Sequence, residues 1–376
     1  MAETARSTEY TTTASNLYMA FELSSKKWNL GFTIGMAQRP RERTIHAGDL
    51  GALQQEIPEA KVRFGLAETA PVQSCYEAGR DTFWLHRCLS SLGIASLVVD
   101  STSIEVGRRK KHRKTDRLDL ERLLNRLIRH HNGEAKVWSV VRVPSAEAED
   151  NRQLHRELLS LKDERTRHIN RIKGLLVGQG IRLAVGNRFP ERLSSLRLWD
   201  GTELPAGLRT RLEREYARLC LVTEQIALLE ATRQKAIRYS TDPAMAQVRQ
   251  LLRLRCISEG SAWLYVMESF GWREIRNRRQ LGALAGLTPT LSDSGDSEHE
   301  QGISKAGNEY VRTMAVEIAW AWLRYQPDSA LSCWYWERFG QGGQRASRIG
   351  IVALARKLLV ALWRYLETGD IPAAPN

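Results

Sequence analysis

Short apolar segments at close spacing constrain the fold of this chain more than any other feature of its sequence. The segments "LYMAFEL" (17–23), "WNLGFTI" (28–34) and "RTIHA" (43–47) predict three strands, and the polar breaks between them favour an antiparallel meander. Further on, "IASLVVD" (94–100) is apolar at almost every position, which is typical of a parallel strand buried on both faces. The pattern therefore predicts a mixed β-sheet.

Helical segments alternate with the later strands. Residues 49–65 and 81–93 predict helices, "VQSCYE" (72–77) predicts the strand between them, and "TDRLDLERLLNRLIRHH" (115–131) has leucines at helical spacing. The predicted order is three strands, helix, strand, helix, strand, helix. This is the element order of an RNase H-like α/β domain, which we expect over residues 17–143.

The rest of the chain reads as helical. Two highly charged segments, 147–177 and 207–238, have apolar stripes that predict two long helices in a hairpin or coiled coil, and we expect this connector over 144–243. An ordinary solvated helical bundle is the alternative. Residues 244–376 predict a helical C-terminal domain that contains one long irregular loop at 286–308, and a loop of that length is usually functional or disordered.

Composition narrows the class of protein. The net charge of +13 favours binding to phosphates. No apolar run is long enough for a membrane span, and the Thr-rich residues 1–16 lack a signal-peptide core and predict a disordered leader. The five cysteines are scattered without a C-x-x-C pair, which argues against disulfide and zinc frameworks and suits a reducing cytoplasm.

The strongest positive run of the chain is "RRKKHRKTDRLDL" at 108–120. Cations of this kind bind a nucleic-acid backbone, and two aspartates follow them directly. The cations to which we assign nucleic-acid binding are Arg108, Arg109, Lys110, Lys111, Arg113 and Lys114. The combination of cations and carboxylates raises the hypothesis of an enzyme that cuts nucleic acid.

Four acidic residues are candidates for a metal site. Glu22 lies in the first strand, Glu77 ends the strand after the first helix, and Asp116 and Asp119 share one face at the start of the last helix. If the four converge, they suit Mg²⁺, with Mn²⁺ as a substitute, and paired metals of this kind activate a phosphodiester. Taken singly, each acid has a structural alternative, such as a helix N-terminal acid for Asp116 or a surface ion pair of Asp119 with Arg122.

Three motifs in sequence resemble the DEDD transposases of insertion sequences, the recombinases guided by a bridge RNA. They are "CYEAGRDTFWLHR" (75–87), "KTDRLD" (114–119) and the late "GLTP…SG…GISKAGN…R" (286–312), and the resemblance covers about residues 17–365. It implies a RuvC-like domain, a coiled-coil connector and a C-terminal transposase domain. The family's acidic tetrad would fall on the four acids above. Its first position is usually aspartate, so Glu22 is a departure, and Asp100 is a possible substitute.

The resemblance also implies a serine nucleophile, the serine just before a glycine in the C-terminal loop, which is Ser294. The loop offers other hydroxyls at Ser292, Ser297 and Ser304, and His299 as a base. Metal held by the acids would activate the serine. Lys305 and Arg312 would neutralise the phosphate in the transition state.

Two further segments of the C-terminal region have expected roles. The segment around "ISEGS" (257–261) departs from the family's helix–hairpin–helix core, which puts a DNA contact there in doubt. An aromatic cluster at 320–336 can stack on bases, but its helical spacing favours a role in the core.

The implied function is an RNA-guided DNA recombinase that moves its own insertion sequence through a covalent phosphoserine intermediate. Its partners would be double-stranded donor and target DNA, a bridge RNA, and further copies of the chain in a dimer or tetramer. We expect it in the bacterial cytoplasm, associated with the nucleoid. Two alternatives remain open. One is a metal-dependent nuclease resembling a Holliday-junction resolvase, with water as nucleophile, and the other is a non-catalytic nucleic-acid-binding scaffold.

Overall fold

The structure is a computed structural model that divides into two compact units, residues 1–143 and 144–376. It describes residues 16–36, 38–79, 82–100, 103, 116–135, 137–294 and 297–370. The side chains of residues 82, 116–118, 290–294 and 297–301 lie outside this description. Residues 1–15 of the predicted leader and the six cations at 108–114 also lie outside the described residues.

The first unit has the predicted order of elements, and this prediction is confirmed. Its strands are β1 (Leu17–Leu23), β2 (Lys27–Thr33), β3 (Arg41–His46), β4 (Val72–Glu77) and β5 (Ala95–Val99). Its helices are α1 (Leu50–Arg63), α2 (Thr82–Ser91) and α3 (Asp116–His131).

The five strands form one mixed sheet with the order β3-β2-β1-β4-β5. The predicted meander is present, because β1 pairs with β2 and β2 with β3 in antiparallel fashion. The strands β4 and β5 extend the sheet in parallel on the other side of β1. The first strand, β1, is the central strand of the sheet and is buried along most of its length.

Each face of the sheet has its own apolar core. Met19 and Phe21 of β1 belong to the cluster that includes Leu53 of α1 and Leu85 of α2. The side chains at the alternate positions of the strand, such as Ala20, belong to the cluster with the leucines of α3. Because successive side chains of a strand point to opposite faces, α1 and α2 cover one face and α3 covers the other.

Gly31 of β2 allows α3 to lie close to the sheet. A Cβ atom at this position would lie 3.2 Å from Leu124 Cδ1 and 3.5 Å from Leu120 Cβ, both on α3. Real Cβ atoms rarely have neighbours at the shorter of these distances. The missing side chain therefore sets the separation between helix and sheet.

The second unit is mostly helical. Its helices are α4 (Ala146–Val177), α5 (Phe189–Ser195), α6 (Ala206–Tyr239), α7 (Pro243–Leu251), α8 (Glu259–Tyr265), α9 (Arg278–Leu284), α10 (Glu309–Tyr325), α11 (Ala330–Phe339) and α12 (Gln344–Thr368). A π-helical turn, Val266–Phe270, continues α8. Two strands, β6 (Pro289–Ser294) and β7 (Ser297–Ile303), lie between α9 and α10.

The helices α4 and α6 agree within one residue with the predicted segments 147–177 and 207–238. They run antiparallel, because Lys162 pairs with Glu230 at 2.7 Å while Arg171, further along α4, pairs with Glu215 at 2.6 Å. Their apolar stripes meet in two clusters of buried residues. The two helices therefore form a hairpin.

The prediction of an irregular loop at 286–308 was wrong, because most of this segment is a β-hairpin. The strands β6 and β7 pair antiparallel from Pro289–Ile303 to Ser294–Ser297, with an irregularity after Pro289. Two residues of the sequence, Gly295 and Asp296, separate the last pair. A Gly-Asp separator is a known hairpin signal, but few apolar residues alternate here, so the strand pattern is weak.

The aromatic cluster is only partly core, which corrects the expectation. Trp322 and Tyr335 are buried, but Trp320 and Trp336 are each about half exposed, at 48% and 53%. The helical spacing placed only some of these side chains on the inner faces of α10 and α11. Within the described ranges, no helix is long and apolar enough to cross a membrane.

Candidate functional site

Two of the predicted acids lie side by side at the end of the central strands. The register of the parallel pair β1–β4 matches Phe21 with Tyr76, so Glu22 comes next to Glu77. Glu22 is two residues after Ala20, and Glu77 is two residues after Cys75. Ala20 and Cys75 pack against α3, so Glu22 and Glu77 are on the same face of the sheet as they are. Neighbouring strands are about 4.8 Å apart, so the two side chains leave adjacent positions on the same face.

Helix α3 brings the aspartates to the same end of the sheet. It runs antiparallel to β1, because Leu123 lies over Cys75 (Sγ to carbonyl O 3.8 Å) while His131 Nδ1 lies 3.0 Å from the Tyr18 hydroxyl. Asp119 is one helical turn, about 6 Å, before Leu123. Glu77 is two residues, about 7 Å, beyond Cys75 in the same direction. Asp119 and Glu77 therefore lie at the same end of the layer formed by α3 and the face of the sheet that it covers.

The side chain of Asp119 is described, and its carboxylate forms a 3.3 Å ion pair with Arg122. The pair is partly exposed, and such pairs contribute about 1 kcal/mol or less, so a divalent cation can displace the arginine. Asp116 is the first residue of α3, and its side chain lies outside the described atoms. The structural alternatives for both residues thus have a physical basis.

Asp100 follows β5 directly. Val99 packs on the α3 face and Val98 on the opposite face. Continued alternation would direct Asp100 away from Glu22 and Glu77. The strand geometry therefore favours Glu22 over Asp100 as the fourth acid.

Among the described side chains, no group of three or more His, Cys, Asp and Glu residues lies close enough to hold a metal ion. The carboxylate of Asp116 is not among these described side chains. Glu22, Glu77 and Asp119 are among these described residues: they lie on three adjoining elements and carry the oxygen donors that Mg²⁺ prefers, but the three carboxylates do not converge on one point. The donor chemistry fits Mg²⁺, and the metal site remains a prediction.

In the second unit, Ser294 is the last residue of β6, where the hairpin turns back. Ser292 and Ser297 lie in the same hairpin, and His299 lies in β7. Ser304 follows the hairpin, and its backbone N–H donates to Thr288 O at 2.9 Å. Of the four hydroxyls, Ser294 and Ser297 are therefore nearest the end of the hairpin, while Ser304 is at its base.

The base of the hairpin is clamped by close backbone contacts. Gly286 and Gly307 both have positive φ, and a Cβ at either position would collide with backbone carbonyl oxygens of the other segment. Arg312 Nη1 donates to Lys305 O at 3.0 Å and to Ala285 O at 3.3 Å. The predicted phosphate contact Arg312 thus holds the two segments together. Lys305 is exposed beside it with a φ of 53°.

A buried ion pair between Glu268 and Arg156 also contacts the end of this segment, at Asn308. Glu268, only 1% exposed, lies in the π-helical turn and accepts two hydrogen bonds from Arg156 of α4, at 2.7 and 3.0 Å. Asn308 Nδ2 donates to the same carboxylate at 2.7 Å, and Asn308 Oδ1 caps α10 by accepting from Val311 N. Removing one partner of such a buried pair costs about 3–5 kcal/mol. Glu268 therefore fixes where the hairpin ends and α10 begins.

Cations surround this carboxylate. Burial is the largest single influence and opposes the charge of Arg156, but the hydrogen bond and the charge of Glu268, together with Tyr310, outweigh it and raise the pKa of Arg156. Burial, followed by the charge of Arg156, lowers the pKa of Arg152. Burial, followed by the charge of Arg233, lowers the pKa of His155 to about 4. The histidine is therefore neutral at pH 7.

Sequence reasoning did not find Arg156, Glu268 or Asn308. One signal was present, since Glu268 is an acid inside the apolar segment "WLYVMESFG". The "ISEGS" segment, which departs from the family core, begins α8 with a capping box between Ser258 and Ser261. Its role in the described structure is to start this helix.

The sequence of the second unit matches a family model described as "Transposase IS116/IS110/IS902 family" over residues 248–332, which include the hairpin and Glu268. A protein of Sinorhizobium fredii named "Putative transposase y4rJ" is 39% identical over 374 residues, or 94% of this chain and 93% of the relative. The transposase for insertion sequence element IS1328 of Yersinia enterocolitica is 29% identical over 58% of this chain and 63% of its own. That for IS1111A of Coxiella burnetii is 28% identical over 56% and 57%.

With a relative this similar over almost the entire length, the chain is a transposase, a member of a class of enzymes that cleave and transfer DNA. It belongs to the IS116/IS110/IS902 family of transposases.

Proposed function

We propose that this transposase is an RNA-guided recombinase of an insertion sequence and that Ser294 is its nucleophile. The first unit would be an RNase H-like, RuvC-like domain with Glu22, Glu77, Asp116 and Asp119 as acidic residues. A bridge RNA would select donor and target DNA by base pairing. A dimer or tetramer would supply enough copies of the site for strand exchange.

One observation supports the proposal most directly: the register of β1 with β4, which ends at Phe21 and Tyr76, brings the next residues, Glu22 and Glu77, side by side at one end of the sheet, on the face that α3 covers. Two carboxylates at adjacent positions repel each other, and a divalent cation between them is favourable. Bound Mg²⁺ would stabilise charge on the phosphate oxygens. The longer arm of Glu22, in place of the usual aspartate, would be accommodated at its strand end.

In the proposed reaction, the hydroxyl oxygen of Ser294 gives up its proton and forms a bond to phosphorus. The bond from phosphorus to the neighbouring nucleotide's oxygen breaks, and that oxygen leaves with a proton. Lys305 lies at the base of the hairpin, about 17 Å from its end, and would neutralise a neighbouring phosphate of the same strand. The phosphoserine ester keeps the bond energy, and attack by a second DNA end restores the serine.

The test is covalent trapping with the full chain, its flanking RNA, Mg²⁺ and labelled insertion-end DNA. After denaturation, we expect a protein–DNA adduct with the wild type and none with Ser294→Ala. Ser304→Ala, at the base of the hairpin, is the control and should keep the adduct. Cleaved DNA without an adduct, unchanged in Ser294→Ala, would mean that water is the nucleophile and would refute the serine assignment.

A further inference from the structure

A second feature of the C-terminal unit is a groove of about 840 Å³ beside the base of the hairpin. Helix α12 forms one wall, while Leu287, Pro289 and Ile303 at the hairpin base contribute to the other. Seven basic side chains line it. Five of them are on α12: Arg345, Arg348, Arg356, Lys357 and Arg364. The other two are Arg278, at the start of α9, and Lys305.

The groove is one-sided in charge. None of the described residues that line it is acidic, and no described carboxylate lies within ion-pair distance of any of the seven cations. Arg345, Arg348 and Arg364 are exposed. Like charges held this close without counter-charges repel each other, so an anion that enters the groove is stabilised by all of them. The groove is therefore suited to a polyanion.

The arrangement along α12 indicates an extended ligand. The lining residues Arg345, Arg348, Val352, Arg356 and Arg364 recur at three-, four- and eight-residue intervals, which places them on one helix face. From Arg345 to Arg364 this face extends about 28 Å, at 1.5 Å per residue. A nucleic-acid strand of about eight nucleotides has the same length.

Apolar side chains lie among the cations. Ile349 is 54% exposed within the groove, and Trp334 is half-buried with the Lys357 ammonium 4.5 Å from its ring centroid. A site that binds only a phosphate or a single nucleotide does not need exposed apolar side chains such as these along its length. The sugars and bases of a nucleic-acid strand can pack against such side chains, because they present apolar edges and faces next to the phosphate backbone.

The position of the groove at the base of the Ser294 hairpin indicates DNA as the nucleic acid that it binds. Pro289 and Ile303, which line the groove, are the first pair of the hairpin that ends at Ser294. Ser294 is five positions after Pro289 along the strand, a span of about 17 Å at most. That distance corresponds to about five nucleotides of a DNA strand. A strand whose phosphate reaches Ser294 therefore has neighbouring phosphates at the groove.

We propose that this groove binds the DNA backbone within about five nucleotides of the phosphate that Ser294 attacks. The inference rests on the proposed function, since it takes DNA as the molecule that Ser294 meets. The groove would hold the strand in register through α12 while the hairpin presents the serine. Gly282 of α9 lies next to one of these cations, since a Cβ there would lie 3.1 Å from Arg356 Nε.

The experiment compares two charge-matched variants of the full chain. The groove variant has Arg345→Gln, Arg348→Gln and Arg364→Gln. The control variant has Arg253→Gln, Arg255→Gln and Arg338→Gln, which are three exposed arginines of the same unit outside the groove. Binding to a labelled 40-base-pair insertion-end duplex and to a 30-nucleotide single-stranded RNA is measured from low to high salt.

We expect the groove variant to reduce the slope of log K against log salt for DNA by about 2–3, because each lost phosphate contact reduces it by about 0.9. The control variant should reduce it by less than about 1. Equal DNA slopes for the two variants would overturn the proposal, and so would an RNA slope that falls as much as the DNA slope.

Binding does not depend on cleavage, so the two proposals can fail separately. A wild-type adduct at Ser294 together with equal slopes would overturn the groove and leave the nucleophile in place. Absence of the adduct together with the expected loss of slope would overturn the nucleophile and leave a DNA-binding groove.

Discussion

The buried charges around Glu268 show how single residues determine the behaviour of the C-terminal unit. Glu268 faces the guanidinium of Arg156 and the amide of Asn308, while His155 lies in the same interior at only 5% exposure. Neither ring nitrogen of His155 has a hydrogen-bond partner among the described residues. Charging this ring costs free energy, because burial and the cations Arg233 and Lys162 outweigh Glu268.

Acid should therefore destabilise the protein through His155. The pKa of this group is about 4 when folded and near 6.5 when unfolded, so the unfolded chain binds the proton first as pH falls. Between pH 7 and pH 4.5 we expect a loss of about 2 kcal/mol in the free energy of unfolding from this group alone. Urea denaturation of the wild type and His155→Phe at both pH values measures it. Equal losses in the two proteins would show that His155 does not titrate in this way.

At the scale of elements, Gly31 sets how closely α3, the helix that carries Asp119, lies on the sheet that carries Glu22 and Glu77. Gly31 permits the close approach, and Leu124 occupies the space that a side chain would need. Asp119 is on the same helix, less than two turns before Leu124. A change at Gly31 should therefore affect both stability and the proposed metal site.

Gly31→Val should lower the free energy of unfolding by about 1–3 kcal/mol, because the added methyl groups force α3 outwards. Gly35→Val is the control, since no atom lies within 4 Å of a Cβ at that position. Chemical denaturation measures the stability of both variants, and the trapping assay measures adduct formation. A Gly31→Val protein as stable as the control would mean that helix and sheet separate without cost.

At the scale of the whole molecule, the acidic site is in the first unit and Ser294 is in the second. The proposed chemistry needs both, whereas DNA binding through the groove needs only the second. Removing divalent cations with EDTA distinguishes adduct formation, which needs the proposed metal site, from DNA binding through the groove. In EDTA we expect adduct formation to fall by about 100-fold or more, because the cation contributes several kcal/mol to the transition state.

DNA binding in EDTA, measured on the same insertion-end duplex, should stay within about twofold of its value in Mg²⁺ at constant ionic strength. Asp116→Asn tests the same point without chelation, since it removes one charge from the proposed metal site. Adduct formation that persists in EDTA and in Asp116→Asn would refute the metal assignment. Loss of binding in EDTA would show that the cation holds the DNA itself.

The order of elements could be predicted from the sequence because local patterns control it. Alternating and continuous apolar segments determined the five strands, and stripes at helical spacing determined α4 and α6 within one residue. The hairpin at 289–303 escaped prediction because its residues are mostly polar and its pairing depends on backbone hydrogen bonds. The Gly-Asp separator was its one local signal.

By itself, the sequence determined which chemical groups this transposase has: the acids, the serines and the excess of cations. Only the tertiary structure decided which of them meet. The register of β1 with β4 aligned Glu22 with Glu77, and the packing of α12 beside the hairpin gathered the seven cations. Glu268 became a fixed support because Arg156, 112 residues away in the chain, reaches it. Such contacts depend on long-range packing and backbone pairing, which local spacing does not encode.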